Sequence, residues 1–244
     1  MTNTPLRVAL VGMGRMGHAL DALAGDRAVH VVARIDEAAA ANGITRALLG
    51  DAQVAIEFTQ PDAAVANAVS CLQAGCPVVI GTTGWDAGRS DVTEAVQRHQ
   101  CAALWSPNFS LGVQLFLAIA EAMAHRLRGF TAFDSHIVET HHTGKRDAPS
   151  GTAIAIADAM ERGLARRVPI SSVRVGAVPG THEVILDAPF EQIRLEHTAR
   201  DRRVFADGAL TAARWLAGHR APALYSMRDM LAELSPDPHV SARP

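Results

Sequence analysis

Three cysteines in 244 residues, Cys71, Cys76 and Cys101, are too few and too unevenly spaced for a disulfide framework or a zinc ribbon, and they suit a reducing compartment. There is no long run of Lys or Arg, and the formal net charge is −2, so the chain lacks the electrostatic footprint of a nucleic-acid binder. Long hydrophobic runs are missing as well: Gly, Asp or Gln interrupts each apolar stretch well short of a bilayer span. The opening Met1-Thr-Asn-Thr-Pro5 has neither the basic start nor the cleavage site of a signal peptide, so a cytoplasmic protein without membrane partners is expected. What remains is an ordinary globular composition, 48% hydrophobic and 20% charged, with length for one large domain or two small ones.

The first half alternates short β-branched runs with Ala-rich stretches. Strands are expected at Val8–Val11, Val29–Ile35, Gln53–Phe58, Pro77–Ile80 and Cys101–Trp105. Helices are expected near Arg15–Ala24, Asp62–Ala74 and Asp91–His99, and the patch Ala38–Ala41 also reads as helix. That spacing is the pattern of a parallel sheet covered on both faces, a Rossmann-type α/β domain. Beyond Ser110 the pattern changes. A helix near Val113–Leu127 precedes the strand Phe133–Thr140, and a helix follows from Thr152 to about Arg166. Three strands then come without helices between them, Ser172–Val178, Glu183–Leu186 and Gln192–Ala199, before a last helix at Gly208–Ala217. Consecutive strands of this kind predict a mainly antiparallel sheet, hence a second domain of α+β type.

Gly12-Met13-Gly14-Arg15-Met16-Gly17 is a G-x-G-x-x-G that follows the first strand and opens a helix. The first glycine permits the tight turn, the second lets backbone approach a pyrophosphate, and the third lets helix and strand pack closely. The helix start adds N–H donors and positive potential. Asp36, about 20 residues further on, stands where a carboxylate accepts from the adenosine ribose, though a solvated strand-end acid would look the same. Glu37 follows and would repel a 2′-phosphate, which leans toward NADH, whereas Arg34 offers a cation, so NADPH stays open as well. Gly81-Thr82-Thr83-Gly84 and Ser106-Pro107-Asn108-Phe109 occupy matching places after the fourth and fifth strands. Their hydroxyls can reach a ribose or nicotinamide, or merely shape turns.

The stretch Glu139-Thr-His141-His142-Thr-Gly-Lys145-Arg-Asp147-Ala-Pro149-Ser150-Gly151-Thr152 puts two histidines and a lysine within five residues, between a strand and a helix start. Lys145 as a point cation, the helix-start amides of Ser150, Gly151 and Thr152, and an imidazole that titrates near neutrality make an anion pocket with acid–base capacity. Ser150 and Thr152 can equally be plain caps. His136, Glu139, His141 and His142 are close enough in sequence to suggest a metal. The absence of H-E-x-x-H and of any neighbouring cysteine argues for none. Cys71 within a helix and Cys101 within a strand read as core.

With these segments, and with Glu57-Phe-Thr, Pro107-Asn-Phe-Ser-Leu-Gly112, Arg174-Val-Gly-Ala-Val-Pro-Gly-Thr-His182 and Phe205-Ala-Asp-Gly208, the chain resembles the 4-hydroxy-tetrahydrodipicolinate reductases (dihydrodipicolinate reductases) of lysine and diaminopimelate biosynthesis. The resemblance spans nearly the whole chain; the His-His loop is its specific part and the glycine fingerprint is not. It implies a dinucleotide-binding domain at 1–110 completed by 203–244, and a substrate-binding and tetramerisation domain at 111–202. It also implies NADH or NADPH as cofactor, a small dicarboxylate substrate and a homotetramer built through the second sheet. The implied reaction loses water from the hydroxylated ring, adds hydride at C4 and protonates C3. By the same resemblance His141 is the acid/base and Lys145 the proton donor, while His142, Gly151, Thr152 and Arg202 hold the substrate. Three departures stand out: a glycine loop one residue shorter than in some members, no arginine beside Asp36-Glu37 for a 2′-phosphate, and Thr-Gly rather than basic residues between His142 and Lys145.

Overall fold

The computed structural model describes residues 4–218 and 221–234. Residues 1–3, 219–220 and 235–244, which belong to the expected first domain, lie outside the described residues. The chain divides into two compact units, one built from the chain up to Ser110 and from Phe205 onward, the other from Leu111–Val204.

In the first unit, β1 (Leu6–Val11) leads into α1 (Arg15–Ala24), and β2 (Val29–Ile35) into the short α2 (Glu37–Ala40) and α3 (Arg46–Leu49). Then come β3 (Val54–Glu57), α4 (Pro61–Gln73), β4 (Val78–Ile80), α5 (Arg89–His99) and β5 (Ala103–Trp105). Every strand pair in this sheet is parallel, in the order β2-β1-β3-β4-β5 followed by a sixth strand from the C-terminal segment. Parallel strands covered on both faces carry continuous apolar runs, and β1 shows it: Val8 to Val11 are all at most 1% exposed. The strand order reverses between β1 and β3, so the turn after β1 opens into the crevice where such sheets take ligands. Pro61 at the first position of α4 suits a helix start, where its missing N–H has no intrahelical partner to lose.

Cys71, Cys76 and Cys101 lie in this unit's core with Leu49, Leu72, Val78 and Ile80. Burial pushes the Cys76 thiol up to about 11 and raises those of Cys71 and Cys101.

The second unit begins with α6 (Leu111–Leu127), β6 (Asp134–His141) and α7 (Gly151–Leu164), then β7 (Ile170–Arg174), β8 (Thr181–Ala188) and β9 (Glu191–Thr198). Its sheet runs β7-β6-β8-β9. The β6–β8 and β8–β9 pairs are antiparallel, and β6–β7 is parallel because α7 crosses over between them. The sheet is therefore mainly antiparallel with one parallel edge. Phe116, Ala120 and Ala124 of α6 and Ile156, Met160 and Leu164 of α7 close over Ile137, Val184 and Leu186. Afterwards α8 (Arg203–Gly218), β10 (Leu224–Ser226) and α9 (Met227–Leu234) return to the first unit, with β10 pairing to β5. No helix among the described residues is long and apolar enough to cross a membrane.

Several elements differ from the sequence reading. The strand expected at Ser172–Val178 is Ile170–Arg174, and the chain turns at Gly176, whose φ is +53°. The last helix begins five residues before Gly208, at Arg203. Strand β10 and helix α9 are not expected from the sequence; the three half-buried residues of β10 carry no period of their own.

Candidate functional site

Strand β6 alternates with period two, and Ser135, Ile137, Glu139 and His141 all point to its buried face. Across the sheet, Ile137 faces Val184, which faces Leu195, so this end of the layer is apolar. One pair further along, Glu139 faces His182 and His182 faces His197. The same side of the same sheet thus changes from hydrocarbon to a row of ionisable groups, at the end where the His-His loop leaves β6.

Glu139 is fully buried, and its two oxygens are divided between neighbours: one hydrogen-bonds His141 Nδ1, the other accepts from Arg174 at 2.7 Å. Burial alone would raise the Glu139 carboxyl. Hydrogen bonds from Arg174, Ser172 and His141 outweigh it and hold the carboxyl at about 2. An ionised Glu139 can only accept, so the proton on His141 resides at Nδ1 and the Nε2 lone pair stays free. Burial lowers the His141 pKa, Glu139 partly restores it, and Lys145 and Arg174 push it down again; the imidazole is therefore neutral near pH 7. Gly180 gives Nε2 its room, since a Cβ there would sit 2.9 Å from that atom.

Arg174 also binds the backbone of the loop, donating to the carbonyls of Lys145 (3.3 Å) and Asp147 (2.6 Å). Lys145 Nζ pairs with the more exposed Asp147 carboxylate at 2.8 Å. His142 accepts at Nε2 from Arg202 at 3.3 Å, which places its own proton on Nδ1. Ser150 caps α7 by accepting from Ala153 N, and its hydroxyl also meets His182 Nε2 at 3.2 Å. The His182 ring stands edge-on to His141, with centroids 5.1 Å apart. His141, Lys145, His142, Arg202 and the α7 start are thus linked through a short chain of contacts. Gly151 and Thr152 form the first two positions of α7, with no acidic side chain in its first turn.

The sequence by itself gives Arg174 and His182 no role, and Glu139 only that of a candidate metal ligand. The signal was available: period-two alternation carries Glu139 and His141 inward with Ile137. Of the sequence's candidate metal group, His136 bonds Ser171 on the opposite face and His142 bonds Arg202. The structure instead brings Glu139, His141 and His182 together, with ligand atoms within 4.8 Å of one another. Arg174 already supplies the positive charge that Glu139 needs, and a cation would have to displace the His141 proton.

His182 is 4% exposed, with an unpartnered Nδ1. Burial, then repulsion from His141, drives its pKa down to about 4 from 6.5, Glu139 opposing. A histidine held neutral in the fold contributes its full stability above pH 6.5 and loses it as pH falls toward 4, about 3 kcal/mol over that window. His182→Gln is expected to flatten this part of the stability–pH curve, measured by urea unfolding across the window. An unchanged slope would assign the acid lability elsewhere.

In the first unit, Gly12 has φ +93°, and a Cβ on it would lie 2.1 Å from the Phe58 carbonyl oxygen. A Cβ on Gly17 would lie 2.1 Å from the Gly12 oxygen. The fold itself demands both. Gly14 is different: its φ is −77° and an added Cβ would meet nothing within 4 Å. It caps α1 with no side-chain bond and no acid in the first turn, so the amides of Arg15, Met16 and Gly17 keep their donors for an incoming anion. A bare backbone that packing does not require fits the close approach of a pyrophosphate. Met13 lies in the same turn, and Gly12 N bonds Ile35 O, which sets the turn beside Asp36.

Asp36 caps α2 through Ala39 N at 2.9 Å. Thr82 differs from expectation: it is 6% exposed, its hydroxyl donates to Glu57 and accepts from Thr59 N, and its carbonyl takes the Trp85 and Trp105 indoles. Ser106 and Asn108 bond each other, and Phe109 is buried edge-on to Phe58. At these turns, including Gly81, Thr83 and Pro107, Thr82 and Ser106 use their hydroxyls to shape the strand-end loops.

Two family models cover most of the chain: "Dihydrodipicolinate reductase, N-terminus" matches residues 6–109, and "Dihydrodipicolinate reductase, C-terminus" matches residues 112–231. A 4-hydroxy-tetrahydrodipicolinate reductase from Thiobacillus denitrificans is 37% identical, over 93% of this chain and 98% of its own length. Another, from Christiangramia forsetii, is 32% identical over 94% of this chain and 99% of its own. A dipicolinate-bound dihydrodipicolinate reductase from Paenisporosarcina sp. TG-14 has the same fold, with a TM-score of 0.79 at 22% identity, covering 93% of this chain and 100% of that one.

Proposed function

The chain belongs to the dihydrodipicolinate reductase family, and on that premise we propose how its own residues reduce 4-hydroxy-tetrahydrodipicolinate to tetrahydrodipicolinate with a nicotinamide dinucleotide. The turn Gly12–Gly17 would hold the pyrophosphate, Asp36 the adenosine ribose, and the turns Gly81–Thr83 and Ser106–Phe109 the nicotinamide end. When bound, the reduced nicotinamide supplies the hydride that C4 of the substrate ring receives. In the second unit the α7 amides at Gly151 and Thr152, with Ser150, His142 and Arg202, would hold the two substrate carboxylates.

The observation that carries the reading is the Arg174–Glu139–His141 chain, which presents a neutral imidazole with a bare Nε2 at the end of β6, four residues before Lys145. Such an Nε2 takes a proton before it can give one. His141 is therefore the group to remove the C3 proton as the 4-hydroxyl leaves, and to return that proton to the departing hydroxide as water. Lys145 Nζ then protonates C3 after reduction and recovers its proton from solvent. We assign a homotetramer to the outer face of the second sheet, where Val173 is 41% exposed, and place the enzyme in the cytoplasm. The test is to form the substrate in situ with the preceding synthase and follow absorbance of NADH and NADPH separately. Oxidation of neither, with active synthase present, sinks the proposal.

A further inference from the structure

At the end of β2 the choice between the two dinucleotides comes down to a few side chains. Asp36 and Glu37 stand there as two acids, and Arg34, two residues before Asp36, is the cation in reach by sequence. Arg34 is already engaged: its Nε donates to one oxygen of Asp21 at 2.8 Å and its second nitrogen to the other at 2.6 Å. This two-pronged bond uses the planar fork with which a guanidinium recognises a phosphate. The pair holds the Asp21 carboxyl below its usual range and Arg34 above its own.

We propose that Asp21 is a specificity-determining residue: by clamping Arg34 onto α1 it withholds the cation that a 2′-phosphate needs, and the chain selects NADH. The proposal rests on the reading of the first unit as the dinucleotide site and deepens it. Its electrostatics are direct. Arg34 against Asp21, Asp36 and Glu37 leaves a net negative strand end, and a 2′-phosphate would add about two more negative charges. The ribose of NADH instead offers hydroxyl donors to Asp36, whose Oδ1 caps α2. Arg15, in the first turn of α1, remains for the pyrophosphate.

Both partners are partly exposed, 49% for Arg34 and 27% for Asp21, so the bond contributes little to folding and Asp21→Ala should fold normally. Equilibrium titration, reading the emission of the reduced nicotinamide without substrate, would compare NADH and NADPH on the wild type, Asp21→Ala and Asp21→Ala/Arg34→Ala. The wild type should bind NADH at least about tenfold more tightly than NADPH. Asp21→Ala should tighten NADPH roughly tenfold, the scale of one charge-assisted contact, and move NADH less than about threefold. The added Arg34→Ala should abolish the gain. Equal or tighter wild-type binding of NADPH, no gain in Asp21→Ala, or a gain that survives loss of Arg34 would each overturn the inference. Failure of the wild type to bind either nucleotide would instead overturn the reading of the first unit.

Discussion

Lys145→Ala is expected to lower kcat by roughly 10²–10⁴, the usual contribution of a positioned proton donor, while the affinity for NADH stays within about threefold. Lys145 lies in the second unit and the dinucleotide turns belong to the first, so the two readouts should separate cleanly. A small primary amine added to the variant should restore part of the rate if the missing function is a proton. Steady-state kinetics with synthase-generated substrate gives the first quantity, and nicotinamide fluorescence the second. A loss in kcat smaller than about tenfold would remove Lys145 from the chemistry and leave it as a carboxylate contact.

Glu139→Gln should have an effect of similar size through a different cause. Gln at this buried place can keep the bond from Arg174, but it no longer fixes the Nδ1 proton of His141 by charge. Where a carboxylate orients a catalytic imidazole, its loss costs on the order of 10²–10⁴ in kcat. The pH profile carries the sign. Glu139 raises the His141 pKa against burial, so removing its charge lets that pKa fall further. The acid limb of kcat/KM should therefore move to lower pH, while the plateau drops. A limb that stays in place or moves up would mean that the essential group is not His141. Stability should fall by only about 1–3 kcal/mol, because Arg174 keeps one acceptor and two backbone carbonyls. In the wild type the stabilisation from ionised Glu139 is complete above 4.5 and disappears as pH falls toward about 2, below the window set by His182.

The first unit was legible because its signals are local. The apolar run of β1, the glycines behind it and the helix from Arg15 to Ala24 lie consecutively in the chain, and all three sit where the pattern put them. The His-His loop was legible as an anion pocket for the same reason, since Lys145 and Ser150 follow His141 within nine residues. Arg174 and His182 were not, because they reach His141 through strand pairing, and register does not show in a single sequence. Glu139 fell between: its position was in plain view, but its meaning depends on Arg174, 35 residues away. The hydroxyl of Thr82 is the opposite case. A polar residue at a strand's carboxyl end invites a ligand contact, yet Glu57, wholly buried beside it, claims the hydroxyl first.

All three thiols of the chain lie between residues 71 and 101, within the core of the first unit, where burial suppresses the thiolate. A bulky disulfide reagent can thus modify this chain only at moments when that core has opened. Covalent labelling becomes a one-sided clock, timing the breathing of the nucleotide half and staying silent about the half that carries His141. Saturating the first unit with dinucleotide should slow the clock, whereas a stable dicarboxylate mimic alone should leave it running.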